Sequence, residues 1–223
     1  MKTIKNTIAF AAAATVTAIC LPGTAQASTI ELQVASSNAG AQGSAAAYRS
    51  VVDSALASGG QSVSVASYDN LSPQSLLGAY TNYAFKSTVD FGVAGSDAGQ
   101  WTIRSGVDFG HGGALFIDGT AYAFKSNDMW WAGSYSNSSQ YFTTTLNLSA
   151  GNHVMTIYGL EDCCSGNHQA QFEVGNSQFV SFGKNDGLAA AVPEPGTYAM
   201  LLTGLGLIGF ASRRKLSPKL LVG

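Results

Sequence analysis

Gly113-Ala114-Leu115-Phe116-Ile117-Asp118-Gly119-Thr120-Ala121-Tyr122-Ala123-Phe124 decides the fold class. Two short apolar runs flank Asp118-Gly119, and a two-residue connection of that composition is a type I′ turn, because both of its central positions need φ > 0. The stretch therefore reads as a hairpin with strands at Gly113–Ile117 and Thr120–Phe124. Working outward, further short strands separated by turn residues fall at Tyr83–Val93, Gln100–Asp108, Tyr141–Leu148, His153–Leu160, Gln169–Val174 and Gln178–Phe182, with Ala150-Gly151-Asn152 punctuating a later pair. That procession predicts a mainly β chain: an antiparallel β-sandwich, jelly-roll-like, over residues 81–186.

Residues 28–80 read as an N-terminal strand and helix elaboration of that domain. Ile30 to Val34 alternates apolar and polar residues as a half-buried strand does, and Ser62 to Tyr68 alternates again. Between them, Tyr48, Val51, Val52, Ala55 and Leu56 follow helical spacing from a Ser44 cap to a stop at Gly59-Gly60. Asn70 and Pro73 mark a turn before a short helical stretch at Gln74–Leu77.

The two ends carry a different message. Lys2 and Lys5 precede an apolar run from Ile8 to Ile19, and Ala25-Gln26-Ala27 supplies small residues for a signal peptidase, so residues 1–27 read as a signal peptide cut between Ala27 and Ser28. A lipoprotein reading through Cys20 is poor, because Ile19 stands where a small residue is needed. At the other end, residues 187–196 form a linker holding Val192-Pro193-Glu194-Pro195, where two prolines around a carboxylate favour an extended, solvated chain. Residues 197–211 follow as an apolar helix of about 21 Å, thin against a hydrocarbon core of about 30 Å. Residues 212–223 close the chain with Arg213-Arg214-Lys215, which favours a cytoplasmic C-terminus.

This ordered trio of Pro-Glu-Pro, apolar helix and basic stop resembles the PEP-CTERM sorting signal of Gram-negative bacteria. The resemblance implies a C-terminal transmembrane helix that anchors the chain briefly in the inner membrane. It further implies processing by an exosortase and delivery to the cell surface or extracellular matrix. An ordinary single-pass tail anchor is the alternative.

With both ends set aside, residues 28–192 hold twelve acidic against five basic side chains, a net charge of minus seven, although the whole chain stands at only −2. Such a surface repels nucleic acid and anionic lipid. Phe109-Gly110-His111-Gly112 leading into the Asp118-Gly119 hairpin, then Leu146-Asn147-Leu148-Ser149-Ala150-Gly151-Asn152-His153, resembles the carbohydrate-associated β-sandwich first seen in anthrax protective antigen. Trp130-Trp131, Ala150-Gly151-Asn152-His153 and Gly159-Leu160-Glu161-Asp162-Cys163-Cys164-Ser165-Gly166 also resemble the CCXG class of PEP-CTERM proteins. These resemblances imply an address and a fold and assign no activity.

Trp130, Trp131, Tyr135 and Asp128 are the candidate ligand-binding residues, since aromatic rings beside amides and acids suit stacking on sugar faces; the competing reading is that a Trp plugs the end of the sandwich. The expected role is structural or adhesive in an exopolysaccharide-associated envelope; the alternative is a carbohydrate-binding module for exopolysaccharide, and a polysaccharide-acting enzyme is the least favoured reading. Cys163 and Cys164 have three readings: a vicinal disulfide locking a loop, intermolecular or redox-active thiols, or a soft-metal site with His153 or His168. Asp118 is read as turn chemistry. No nucleophile elbow, phosphate loop or His-Glu-x-x-His run occurs in the sequence, so no catalytic residue, metal or cofactor is assigned.

Overall fold

A computed structural model describes residues 28–184, 186 and 202–206. The signal peptide, Val192-Pro193-Glu194-Pro195 and Arg213-Arg214-Lys215 lie outside the described residues. Residues 202–206 are helical, and no helix among the described residues is long and apolar enough to cross a membrane.

In chain order the elements are β1 (Thr29–Ser36), α1 (Ala45–Ala57), β2 (Gln61–Val65), α2 (Pro73–Leu77), β3 (Tyr83–Val93), β4 (Gly99–Gly106), β5 (Asp108–Phe109) and β6 (Gly113–Ile117). There follow β7 (Thr120–Lys125), β8 (Met129–Trp130), β9 (Tyr141–Leu148), β10 (Gly151–Glu161), β11 (Gln169–Val174) and β12 (Val180–Ser181). One sheet runs β2-β1-β3-β10-β6-β7, a second β12-β11-β4-β9, and β5 pairs with β8 alone. Every pairing is antiparallel.

Alternation along the strands builds the layers. Ile30, Leu32, Phe85, Val89, Phe91, Leu115, Met155 and Ile157 of the large sheet share one buried cluster with Trp101, Ile103, Phe142 and Phe172 of the small sheet. Residues on the other face of the large sheet, among them Ala84, Ala114, Phe116 and Tyr158, form a second cluster with Tyr48 and Val52 of α1. The result is a β-sandwich with a helix on one outer face. Ser44 caps that helix by accepting from the Ala47 N–H at 3.2 Å. Lys86 pairs with Asp53 at 2.8 Å and the Arg49 guanidinium lies 3.9 Å from the Phe116 ring centre, so charged side chains also hold α1 to the sheet.

Three expected strands change. The alternating run Ser62–Tyr68 is strand only over Gln61–Val65. The run Gln100–Asp108 breaks at Val107, because Asp108 and Phe109 leave the small sheet and pair with Trp130 and Met129. The run Gln178–Phe182 shortens to Val180–Ser181, since Phe182 turns to accept from the Tyr68 N–H at 2.7 Å.

The hairpin reading holds in detail. Asp118 and Gly119 have φ of 50° and 76°. Asp118 also reaches across to β10: Oδ2 lies 2.6 Å from His153 Nδ1, and Oδ1 accepts from the Val154 N–H at 2.8 Å. The other ring nitrogen of His153 lies 2.9 Å from the Ser149 carbonyl, so each ring nitrogen faces an oxygen. The hairpin tip and the start of β10 are thereby fastened together. Asp118→Asn keeps the turn and the Val154 contact and puts an amide NH2 in place of the carboxylate oxygen facing His153; it should cost about 1 kcal/mol, and Asp118→Ala about 2 kcal/mol, in denaturant unfolding of the exported protein. Equal stability of both variants and wild type would show the fastening to be idle.

Candidate functional site

Three separated segments converge on an open groove of about 490 Å³, lined by Asn70, Ser72, Gln74, Trp130, Trp131, Ala132, Gly133, Ser165, Gly166 and Asn167. The 70–74 segment is the N-terminal approach to α2, where Ser72 accepts from the Ser75 N–H at 3.2 Å and Pro73 occupies the first turn. Leu71 and His168 exchange backbone hydrogen bonds of 2.8 Å in both directions, which fixes this segment against the third. Asn167 Nδ2 then donates to Asn70 Oδ1 at 2.9 Å. That bond leaves the Asn70 amide donors and the Asn167 carbonyl for a ligand.

The paired tryptophans point to opposite environments. Trp130 is 67% exposed, whereas Trp131 is 5% exposed. Trp131 lies flat against Gly106, where any Cβ would run into the indole, and 5.6 Å from Tyr135 between ring centres. Its backbone N–H donates to Val107 at 3.2 Å and its indole nitrogen is buried without a partner. Trp130 is held by the backbone instead: it stands opposite Asp108 in the β5–β8 pair and donates its N–H to Gln140 Oε1. Tyr135 lies outside the groove lining, packed on Tyr141 and under the Arg104 guanidinium at 3.8 Å. Asp128 is exposed and also outside the lining.

The third segment leaves the end of β10. Cys163 and Cys164 are joined by a disulfide and both are exposed. Cys164 has φ of 75°, in the left-handed region. The loop around them is pinned from below. Glu161, 2% exposed, accepts from the Gly110 N–H at 3.1 Å through one oxygen and from the Cys163 N–H at 2.9 Å through the other. Tyr83 donates its hydroxyl hydrogen to Ser165 Oγ at 2.9 Å, and the Ser165 N–H donates to Tyr80 at 3.0 Å. Buried Asp108 stands directly behind Gly166, so closely that a Cβ there would strike its carboxylate.

Burial pushes the Asp108 carboxyl up to about 6, with Asp128 adding to the effect against a backbone N–H of Gly166. Burial and then the Asp108 charge push Glu161 up to about 8. Neither side chain is among the groove-lining residues, so their geometry suits holding the loop rather than acid–base chemistry on a ligand. His168, fully buried, stacks on Phe85 at 4.7 Å and meets Phe109 edge-on at 5.0 Å. Neither of its nitrogens has a partner, and burial lowers it to about 3. His111 lies 3.7 Å from Asp162, and His153 belongs to the hairpin fastening. Among the described residues no group of three His, Cys, Asp or Glu side chains is arranged to hold a metal.

Asn70, Ser72, Gln74, Ser165, Asn167, Asp108 and Glu161 were not singled out by sequence. In the sequence Asn70 reads only as part of a turn, and Glu161 and Ser165 only as part of the CCXG resemblance.

Comparison with known proteins adds the address. Residues 191–215 match the PEP-CTERM protein-sorting motif. The motif implies an exported, exosortase-sorted chain destined for the cell surface or extracellular space. No curated protein matches the chain. Among solved structures, the PA14 domain of the antifreeze protein MpAFP aligns at a TM-score of 0.47 and 10% identity, over 74% of this chain and 91% of that one. A PA14 sugar-binding domain from an RTX adhesin aligns at 0.47 and 14% identity, over 74% and 99%. The epithelial adhesin 9 A domain from Candida glabrata, in complex with Galβ1-4GlcNAc, aligns at 0.46 and 9% identity, over 79% and 94%.

The buried acids of this PEP-CTERM-bearing protein give a pH signature. An unfolded chain releases both protons in the ordinary carboxylate range, whereas the folded protein keeps them to about 6 and about 8, so stability falls as pH rises through that window. His168 acts oppositely: it stays neutral to about 3 when folded, and its contribution is lost only below the usual imidazole range. Between about pH 6.5 and 8 the effect of Glu161 therefore stands alone of the three. The melting temperature should decline across that interval, and Asp108→Asn should move the decline to lower pH by removing a neighbouring charge. A profile that rises there, or one that Asp108→Asn leaves in place, would contradict this account.

Proposed function

We propose that the protein is an exosortase-processed component of the cell surface or extracellular matrix, adhesive in role, whose groove binds exopolysaccharide. The sorting half follows from the 191–215 motif. A C-terminal helix spanning residues 197–211 anchors the chain in the inner membrane until exosortase acts near Pro193-Glu194-Pro195. The domain then carries the CCXG features into the matrix, with its carbohydrate-associated sandwich as the working part.

The observation that carries the binding half is Trp130: a large indole, 67% exposed, beside a groove of amides and hydroxyls. Leaving such a side chain in water forgoes about 1.5–3 kcal/mol of burial that a core position supplies, and a sugar face covers it while the ring hydroxyls find donors and acceptors in Asn70, Ser72, Gln74 and Asn167. Trp131, buried, packs on Gly106 and on Tyr135 in the same loop, and Asp128 adds a negative charge two residues before Trp130.

Two measurements test this. Immunoblots of cells with and without an exosortase should differ in the mass and membrane fraction of the protein, and replacing Pro193-Glu194-Pro195 by alanines should give the larger, membrane-bound form in both; no difference would remove the sorting assignment. Exported protein should be retained on matrix polysaccharide, and Trp130→Ala should weaken that retention at least about tenfold while leaving the melting temperature near wild type. Undiminished retention in Trp130→Ala would place binding elsewhere.

A further inference from the structure

We infer that the groove accepts an uncharged glycan and turns away polymers carrying carboxylate or sulfate groups. The inference rests on the carbohydrate reading above and adds the charge class of the ligand. None of the ten residues lining the groove is ionisable: they are amides, hydroxyls, indoles, glycines and an alanine. An anionic sugar therefore meets no cation there.

Charges close by all have the wrong sign for an anion. Asp108 lies buried behind the Gly166 wall. Asp69 directly precedes Asn70 and accepts from Gln169 Nε2; Asp128 stands two residues before Trp130, and Asp162 begins the disulfide loop. All three are exposed. The cations are committed elsewhere or absent from the lining. Arg104 donates from Nε and Nη2 to Gln171 Oε1, at 2.8 and 2.6 Å, and is sandwiched between the rings of Tyr135 and Phe179. Lys86 is paired with Asp53, and Arg49 donates to the Gly119 carbonyl at 2.7 Å. Lys125 and Lys184 do not line the groove.

Carboxylates around a concave, partly desolvated surface repel anions over about a Debye length, roughly 10 Å at moderate salt, and the effect fades as salt rises. Asn and Gln amides, by contrast, offer a donor and an acceptor on one side chain, matching a sugar hydroxyl that is itself both. Discrimination thus comes from two sources: hydrogen bonds that a neutral sugar completes, and a field that an acidic sugar opposes.

The test uses exported full-chain protein and pairs of polysaccharides, a glucan, a galactan and a mannan, each neutral or oxidised at C6 to the uronate on the same backbone. At low salt at least one neutral chain should be retained in a Trp130-dependent manner, and its oxidised form should bind at least about tenfold more weakly, recovering as salt is raised. Asp69→Asn should narrow that gap while leaving the neutral chain's binding unchanged. If an oxidised chain binds as tightly as its neutral form at low salt and still needs Trp130, the charge inference is wrong and the carbohydrate reading survives. If no chain of either kind is retained, the carbohydrate reading fails and takes the inference with it.

Discussion

The eleven-residue register between β3 and β10 is the constraint on which the rest depends. Gly151 opposes Val93 at one end and Glu161 opposes Tyr83 at the other, with no break between. Because side chains alternate with a period of two, a slip by one residue would exchange the sandwich face for the α1 face along both strands. Met155 and Ile157 would leave the inter-sheet core, and Tyr158 would enter it. The same register fixes both functional ends of β10. At its start, His153 meets the Asp118 turn; at its finish, Glu161 and Tyr83 stand side by side under the loop that enters the groove.

That loop explains why two carboxyl groups are buried at a cost. Desolvation opposes burying Asp108 and Glu161, and neighbouring charge adds to it, Asp128 acting on Asp108 and Asp108 acting on Glu161. What the fold gains is geometric. Glu161 receives the N–H groups of Gly110 and Cys163, which come from two different connections and have no strand partner at those positions. An apolar residue at 161 would remove the desolvation cost and leave the Gly110 N–H without this acceptor, a penalty of about 1–3 kcal/mol, while the Cys163 N–H would keep its second acceptor, Asp162 Oδ1 at 2.7 Å. The disulfide between Cys163 and Cys164 acts on the same few residues from the solvent side. The loop is therefore held covalently above and by a carboxyl below, and Ser165, Gly166 and Asn167 inherit their positions from both.

What could be read from the sequence divides along the same line. Asp118-Gly119 is a local signal: two positive φ values need no tertiary partner to be foreseen. The capped α1 and the alternating strands are local too, and so is the sorting motif, which works as a linear peptide. The end of β4 is not. Nothing in Gly106-Val107-Asp108 announces a change of sheet; it follows from Trp131 lying on Gly106 and from Trp130 standing opposite Asp108, contacts that join residues more than twenty positions apart. The groove is less legible still, since its amides and hydroxyls come from two segments that the Leu71–His168 bridge and the Asn70–Asn167 bond bring together.

Trp130 and Trp131 show why composition alone stops short of a site. The two residues are chemically identical and adjacent, and an aromatic pair beside amides predicts a platform for either of them. Their fates are set by the two-residue period of the short β8 pairing and by a glycine twenty-five positions earlier: Gly106 opens just enough room for one indole to be buried, and the strand geometry then obliges its neighbour to face outward. A side chain larger than hydrogen at 106 would expel Trp131. Exposure of Trp130 is thus read from where the backbone places it, opposite Asp108 and bonded to Gln140, and not from the identity of the residue.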